Sequence, residues 1–191
     1  MRHHRLTALR ITLILMLFGL DGCAMHYSGM PASRAEVRIF EATNPVSFKV
    51  HDPSFAGDGP QAVIDTLRVH SYFGNAQQIQ DLSTPQEGVF VEVNPNYRPP
   101  SDMSLLFGYI SLATLTFVPA LSTEDGFDVS YRLFRDGKLI RQFDYDTRRY
   151  IGLWLGLLPF MWVNALTTGE AEIFRSFTEQ FLVEAEPLLA R

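Results

Sequence analysis

The stretch that decides the fold is Phe127-Asp128-Val129-Ser130-Tyr131-Arg132-Leu133-Phe134-Arg135-Asp136-Gly137-Lys138-Leu139-Ile140-Arg141-Gln142-Phe143-Asp144-Tyr145. Its first half alternates Phe127, Val129, Tyr131 and Leu133 with Asp128, Ser130 and Arg132. Its second half alternates Leu139, Arg141, Phe143 and Tyr145 with Ile140, Gln142 and Asp144. A period of two marks a strand with one buried face, and Asp136-Gly137 between the halves is hairpin-turn chemistry. Two registers compete. A two-residue turn on Asp136-Gly137 pairs Leu133 with Ile140 and Val129 with Asp144, which mixes apolar and polar residues on each face. A three-residue loop with a bulge at Gly137 pairs Leu133 with Leu139, Val129 with Phe143 and Phe127 with Tyr145, giving one apolar face. A one-residue slip exchanges the two faces, so the bulged turn is the expected one, with Gly137 in the left-handed region.

Moving toward the C-terminus, Thr167-Thr168-Gly169-Glu170 fits a capping box. Behind it Ile173, Phe174, Phe177, Phe181, Leu182, Ala185 and Leu188 form a helical stripe, frayed at Pro187. On the N-terminal side, Val37 to Val50 suggests one or two strands interrupted at Asn44-Pro45. Asp58-Gly59-Pro60 is a helix start. Val63, Ile64, Leu67, His70 and Ser71 then line one face, and Gly74 or Asn75 ends the helix. Gln78 to Leu82 reads as a short strand, Gly88 to Val93 as a better one, and Asn94 to Pro100 as a loop. The pattern predicts an α+β fold: a mostly antiparallel sheet with helices packed on one face and two C-terminal helices.

Two stretches stand outside this pattern. Met103–Thr123 and Ile151–Gly169 carry no charge, and each is about as long as the ~20 residues that span a bilayer. The second holds Gly152 and Gly156 at small-xxx-small spacing and both tryptophans, Trp154 and Trp162, a residue type common at membrane interfaces. Membrane-embedded spans near 103–123 and 151–168 are therefore one reading, and an interfacial helix near 151–166 is another. Against spanning, Thr114, Thr116 and Val118 favour a strand ending at Pro119, and Pro159 breaks a helix through 151–168. The remaining reading is a core or partner-covered segment, with Gly152, Gly156, Trp154 and Trp162 as candidate interface residues.

The N-terminus carries Arg2, Arg5 and Arg10, then the uncharged run Ile11 to Leu20. A basic region before a short apolar one is the layout of a secretory signal peptide. Leu20-Asp21-Gly22-Cys23 resembles the lipobox of bacterial lipoproteins. Leu20, Gly22 and Cys23 match that pattern, and Asp21 departs from it. The resemblance implies cleavage between Gly22 and Cys23 and lipid attachment at Cys23. With Ala24 rather than Asp next in line, it implies anchoring on the periplasmic face of the outer membrane. One acyl chain holds a protein only marginally, and the triacylated cysteine of this family satisfies the need for more. The expected organisation is residues 1–22 as signal peptide, 23–35 as lipidated cysteine and tether, and 36–191 as a single domain. From the 60–73 helix through Tyr72-Phe73-Gly74 to the hairpin, the chain also resembles the α/β sandwich of periplasmic lipoproteins such as the curli-secretion lipoprotein, and small Gram-negative lipoproteins generally.

Cys23 is the only cysteine, so no intramolecular disulfide or CxxC motif exists. Loss of Arg2, Arg5, Arg10 and Asp21 with residues 1–22 takes the net charge from −5 to −7. That balance disfavours nucleic acid. No GxSxG, HExxH, phosphate loop or GxGxxG occurs. His51 beside Asp52 is not a pair, since neighbours on a strand face opposite ways. His70 on an apolar face reads as a core histidine, and Asp144 with Asp146, followed by Arg148 and Arg149, as a solvated strand end. Glu170, Glu172 and Glu179 read as solvent-facing. The expectation is a non-enzymatic envelope protein without metal or cofactor. It would be held by lipid on Cys23 and would bind an envelope partner or further copies of itself. The competing class is an enzyme with a site of unfamiliar pattern.

Overall fold

The structure is a computed structural model that describes residues 23–29, 46–51, 57–70, 72–73, 75–79, 85 and 87–189. The expected signal peptide, residues 30–35 of the tether, the strand over 37–45, Asp52 and residues 80–82 lie outside the described residues.

The described strands are β1 (Cys23–Ser28), β2 (Val46–Val50), β3 (Gln77–Gln78), β4 (Val89–Arg98), β5 (Ala120–Ser122), β6 (Gly126–Arg135) and β7 (Lys138–Leu153). The α-helices are α1 (Gly59–Val69), α2 (Asp102–Ala113) and α3 (Glu170–Leu189), with a 3-10 helix over Leu155–Leu166. The strands form one sheet in the order β1-β7-β6-β4-β2-β3, and β5 also pairs with β7.

The sheet is mixed, which corrects the expectation of a mostly antiparallel one. β2 runs parallel to both β3 and β4, while β4, β6 and β7 pair antiparallel in sequence. The reason is the connection: parallel neighbours need a crossover, and α1 lies between β2 and β4 in the chain. The expected pair of C-terminal helices is also corrected. Only α3 is an α-helix there, because Pro159 lies in the uncharged stretch, which forms the tail of β7 and the 3-10 helix.

The hairpin register is a second correction. Asp136 and Gly137 both have positive φ, 49° and 74°, so the turn is the two-residue type in which both central residues are left-handed. It pairs Arg135 with Lys138 and Phe134 with Leu139. Continued, that register would mix the faces. A bulge at Ile140 corrects it, and beyond it Leu133 faces Arg141, Tyr131 faces Phe143, and Val129 faces Tyr145. The apolar side chains therefore share one face as expected. The bulge sits three residues past the expected Gly137, and every pair is displaced by two.

The loop expected at 94–100 is largely strand. β6 pairs with β4 along its whole length, including Pro95 with Val129 and Arg98 with Gly126. β2 reaches only Val93, so Pro95 sits where β4 has β6 on one side alone, and a missing N–H costs no ladder bond there. Part of the expected tether is strand as well. Cys23–Ser28 lies along β7, Thr147 donates its hydroxyl to the Ser28 carbonyl at 2.6 Å, and Tyr27 is buried.

The chain divides into two compact units. Unit 2 comprises Tyr27–Pro99, Asp125–Arg148 and Thr168–Arg191. Its core lies between one sheet face and the helices α1 and α3. Val46, Phe48, Val91, Val93, Phe127, Val129, Tyr131 and Phe143 point from the sheet, and the predicted α3 stripe meets them. Phe181 stacks on Tyr131 at 4.8 Å between ring centroids, Phe177 on Tyr145 at 5.4 Å, and Phe174 meets Phe127 edge-on at 5.2 Å. Each such side chain contributes about 1.5–3 kcal/mol by burial. The Tyr131 hydroxyl is paired with Thr178 at 2.9 Å, as a buried hydroxyl must be, and burial pushes that phenol well above its ordinary pKa. Glu170, expected to face solvent, accepts the Gly59 N–H at 3.2 Å and the Tyr27 hydroxyl at 3.4 Å. A carboxylate thus sits at the N-terminus of α1, where the helix dipole favours it.

Candidate functional site

Unit 1 consists of Pro100–Glu124, Arg149–Thr167 and the described part of Met1–His26. Its local structure follows from the sequence in a regular way. Ser101, in extended conformation, caps α2 by accepting the Ser104 N–H, and Asp102 stands in the first turn, where negative charge is favoured. α2 is uncharged from Met103 onward. Seven of its large apolar side chains are exposed: Met103, Leu105, Leu106, Phe107, Tyr109, Ile110 and Leu112. At 3.6 residues per turn these positions cover about 220° of the circumference, and the remaining arc carries Ser104, Gly108 and Ser111. Ser111 is the one buried residue of the helix.

The chain leaves α2 through a strained turn. Leu115 and Thr116 both have positive φ, 50° and 61°, a region costly for residues with a side chain and most of all for a β-branched one. The Thr116 N–H closes onto the Ser111 carbonyl at 2.6 Å. The turn leaves Leu115 73% and Phe117 68% exposed. The expected strand over Thr114 to Val118 is corrected by this turn, and the strand β5 begins only after Pro119.

β5 then pairs with the tail of β7, Leu121 opposite Gly152, and the Leu155 N–H donates to the Thr116 carbonyl at 2.8 Å. Near the start of β1, the Met25 N–H donates to the Asn164 side chain at 3.0 Å, and His26 stacks on Tyr150. Trp154 and Trp162 are exposed, at 45% and 63%. Gly152 is buried with Leu121 and Leu157 close by, and the Trp154 indole lies over Gly156. Gly152 belongs to a strand and Gly156 to a 3-10 helix, so the pair does not form one helical face. Both glycines make room inside unit 1. Of nineteen large apolar or aromatic side chains exposed among the described residues, sixteen belong to unit 1. This concentration makes unit 1 the candidate site, since large contiguous apolar surfaces mark interaction sites.

No helix among the described residues is long and apolar enough to cross a membrane. α2 has 12 residues, a rise of about 18 Å against a hydrocarbon core of about 30 Å. The alternative of two spans near 103–123 and 151–168 therefore finds no spanning helix among the described residues.

The solvent side of the sheet in unit 2 carries two rows of polar side chains. Asn94, Ser130 and Asp144 stand side by side on three strands, and Asn96, Asp128 and Asp146 form the next row. They line an open groove of about 420 Å³. Two of its three carboxylates are held by neighbours. Arg98 grips Asp128 with two N–H groups, and Gln142 donates to Asp144 at 2.7 Å. Asp144 and Asp146 do share this face, as read from the sequence. Beside the groove His51 pairs with Glu92 at 2.9 Å, and Arg132 reaches the other oxygen of Glu92 at 3.5 Å. That pairing was invisible in the sequence because it depends on the parallel register of β2 and β4. His70 caps α1 in a half-buried position, where desolvation holds its imidazole below the usual pKa against the opposing pull of Glu186. No group of three or more His, Cys, Asp or Glu able to hold a metal ion occurs among the described residues.

No protein-family model matches the chain, and no curated relative matches it in sequence. Among solved structures the chain is similar to a minor lipoprotein from Acinetobacter baumannii, with TM-score 0.38 and 9% identity over 78% of this chain and 94% of that one. It is similar also to the PelC dodecamer from Paraburkholderia phytofirmans, with TM-score 0.37 and 10% identity over 88% of this chain and 99% of that one. Likenesses of this size carry no argument about function.

Proposed function

We propose that the chain is a lipid-anchored, non-enzymatic component of the cell envelope, attached at Cys23 to the periplasmic face of the outer membrane. It works by docking unit 1 against another envelope component. The observation that carries this reading is the uncharged, outward-facing α2 of unit 1. An apolar arc this wide is at rest only when it is covered, and water does not cover it. Support comes also from the lipobox Leu20–Cys23, and from the polar groove of unit 2, where Asp128 and Asp144 are held by their own neighbours rather than poised for acid–base work.

The test is mass spectrometry of the N-terminal peptide of the membrane-extracted protein. The expected species begins at Cys23 and ends at Arg34, with the mass of a diacylglycerol thioether and an amide-linked acyl chain. Cys23→Ala abolishes both the lipid and the cleavage. An unmodified thiol at Cys23, in a chain that still begins at Met1, contradicts the anchoring reading.

A further inference from the structure

We propose that what covers unit 1 is the bilayer itself, so that α2, the Leu115–Phe117 turn and the two tryptophans lie in the boundary between headgroups and acyl chains. The proposal rests on the anchoring reading above for the identity of that bilayer.

Four observations favour lipid over a protein partner or a second copy. First, the exposed apolar side chains of α2 cover about 220° of its circumference, all but the arc of Ser104, Gly108 and Ser111. A protein surface meets one face of a helix, whereas a fluid apolar medium meets all the faces left open. Second, Tyr109, Tyr150, Trp154 and Trp162 are all exposed in this unit, and amphipathic rings of this kind settle at headgroup level. Third, Met103–Thr123 and Ile151–Gly169 hold no charge that would have to be dragged from water. Fourth, Cys23 belongs to unit 1 and is already part of strand β1. A lipid there holds the unit at the membrane surface with no slack between.

Length fixes the mode. α2 is too short to span, so it lies in the interface, where apolar faces sink about 5–10 Å. The strained turn fits the same picture. It holds Leu115 and Phe117 outward at a conformational cost, which insertion offsets.

The chain has two tryptophans, and both lie in unit 1, so tryptophan emission reports on this unit alone. The experiment places the full-length, membrane-extracted protein in phosphatidylethanolamine–phosphatidylglycerol vesicles, with and without lipids brominated on their acyl chains. Emission is expected to shift to shorter wavelength in vesicles, to lose most of its intensity to the brominated lipid, and to resist aqueous iodide. Leu105→Asp with Phe107→Asp changes only exposed positions, so the fold stands. In that variant the bromolipid quenching is expected to fall several-fold while the protein still sediments with the vesicles. Three results overturn the proposal: emission quenched by iodide and not by brominated lipid; emission shielded from both, which points to a protein partner or a second copy; or a double variant quenched like the wild type. Failure of the anchor is read separately, as an unmodified Cys23 by mass.

Discussion

Units 1 and 2 both hold many apolar residues and dispose of them in opposite ways. Unit 2 buries Phe48, Phe127, Phe174, Phe177 and Phe181 completely, or nearly so, while unit 1 leaves Phe107 and Phe117 in the open. The difference lies in periodicity and in the absence of charge over Met103–Thr123 and Ile151–Gly169. In β6, β7 and α3 the apolar residues recur every second residue or at helical spacing, so each element has a polar side to give to water. In α2 they cover all but the arc of Ser104, Gly108 and Ser111, and folding within the chain leaves most of them open. A uniformly apolar element is therefore a statement about the surroundings of the protein, and a periodic one is a statement about its interior.

The comparison is broken most directly by truncating one phenylalanine from each unit. Phe181→Ala, in contact with both Tyr131 and Phe143, is expected to cost about 3–5 kcal/mol in urea unfolding followed by circular dichroism. Phe107→Ala should cost no more than about 0.5 kcal/mol. Equal losses would mean that unit 1 has a core of its own.

A smaller effect is expected from Tyr131→Phe. It removes the hydroxyl bonded to Thr178, and Thr178 keeps its bond to the Phe174 carbonyl at 2.8 Å. The loss should be about 1 kcal/mol, with the aromatic stacking retained. Little or no loss would mean that stacking alone holds this part of unit 2.

Unit 1 should respond in the opposite direction. Leu115→Gly relieves a left-handed residue that is mostly exposed. It should raise stability by up to about 1 kcal/mol and weaken membrane association. A variant that is destabilised would show that the turn is held by packing and not by function.

The smallest effect concerns pH. Burial holds His70 below its unfolded value of 6.5, so below that value the unfolded chain binds the proton more readily. Stability is full above pH 6.5 and declines as pH falls toward the depressed folded value. His70→Gln should flatten that decline without changing stability at pH 8. An unchanged acid limb would assign the decline to carboxylates instead.

Much of unit 2 was legible in the sequence because its patterns are local. The α3 stripe and the apolar face of the hairpin are both where the period placed them, but the expected capping box does not form: α3 starts at Glu170 and the Thr167 hydroxyl donates to the Asn164 carbonyl. The register was not legible. Asp136-Gly137 fixed the turn, the apolar faces required the opposite parity, and the bulge at Ile140 that reconciles them leaves no mark in composition. Asn94–Arg98 looked like a loop because Asn and Pro usually break strands, and only the tertiary pairing with β6 overrides that preference. The His51–Glu92 pair and the Glu170 contact with α1 depend on neighbours far apart in the chain. In unit 1 the missing charge was plain, and so was the pair of tryptophans. Their disposition was not, since an uncharged stretch reads alike as core, span or exposed surface until its neighbours are known.

The central claim is that unit 1 is covered in the working protein and unit 2 is not. It is tested most directly with a thiol reagent that does not cross membranes. When Cys23 is acylated, Phe107→Cys and Leu139→Cys each supply the sole free thiol of the chain. Both positions are open, at 45% and 52% exposure, so both should label in detergent extract. In intact outer-membrane preparations opened to the reagent on the periplasmic face, Leu139→Cys is expected to label fully and Phe107→Cys hardly at all. Equal labelling of the two in the membrane would contradict the account.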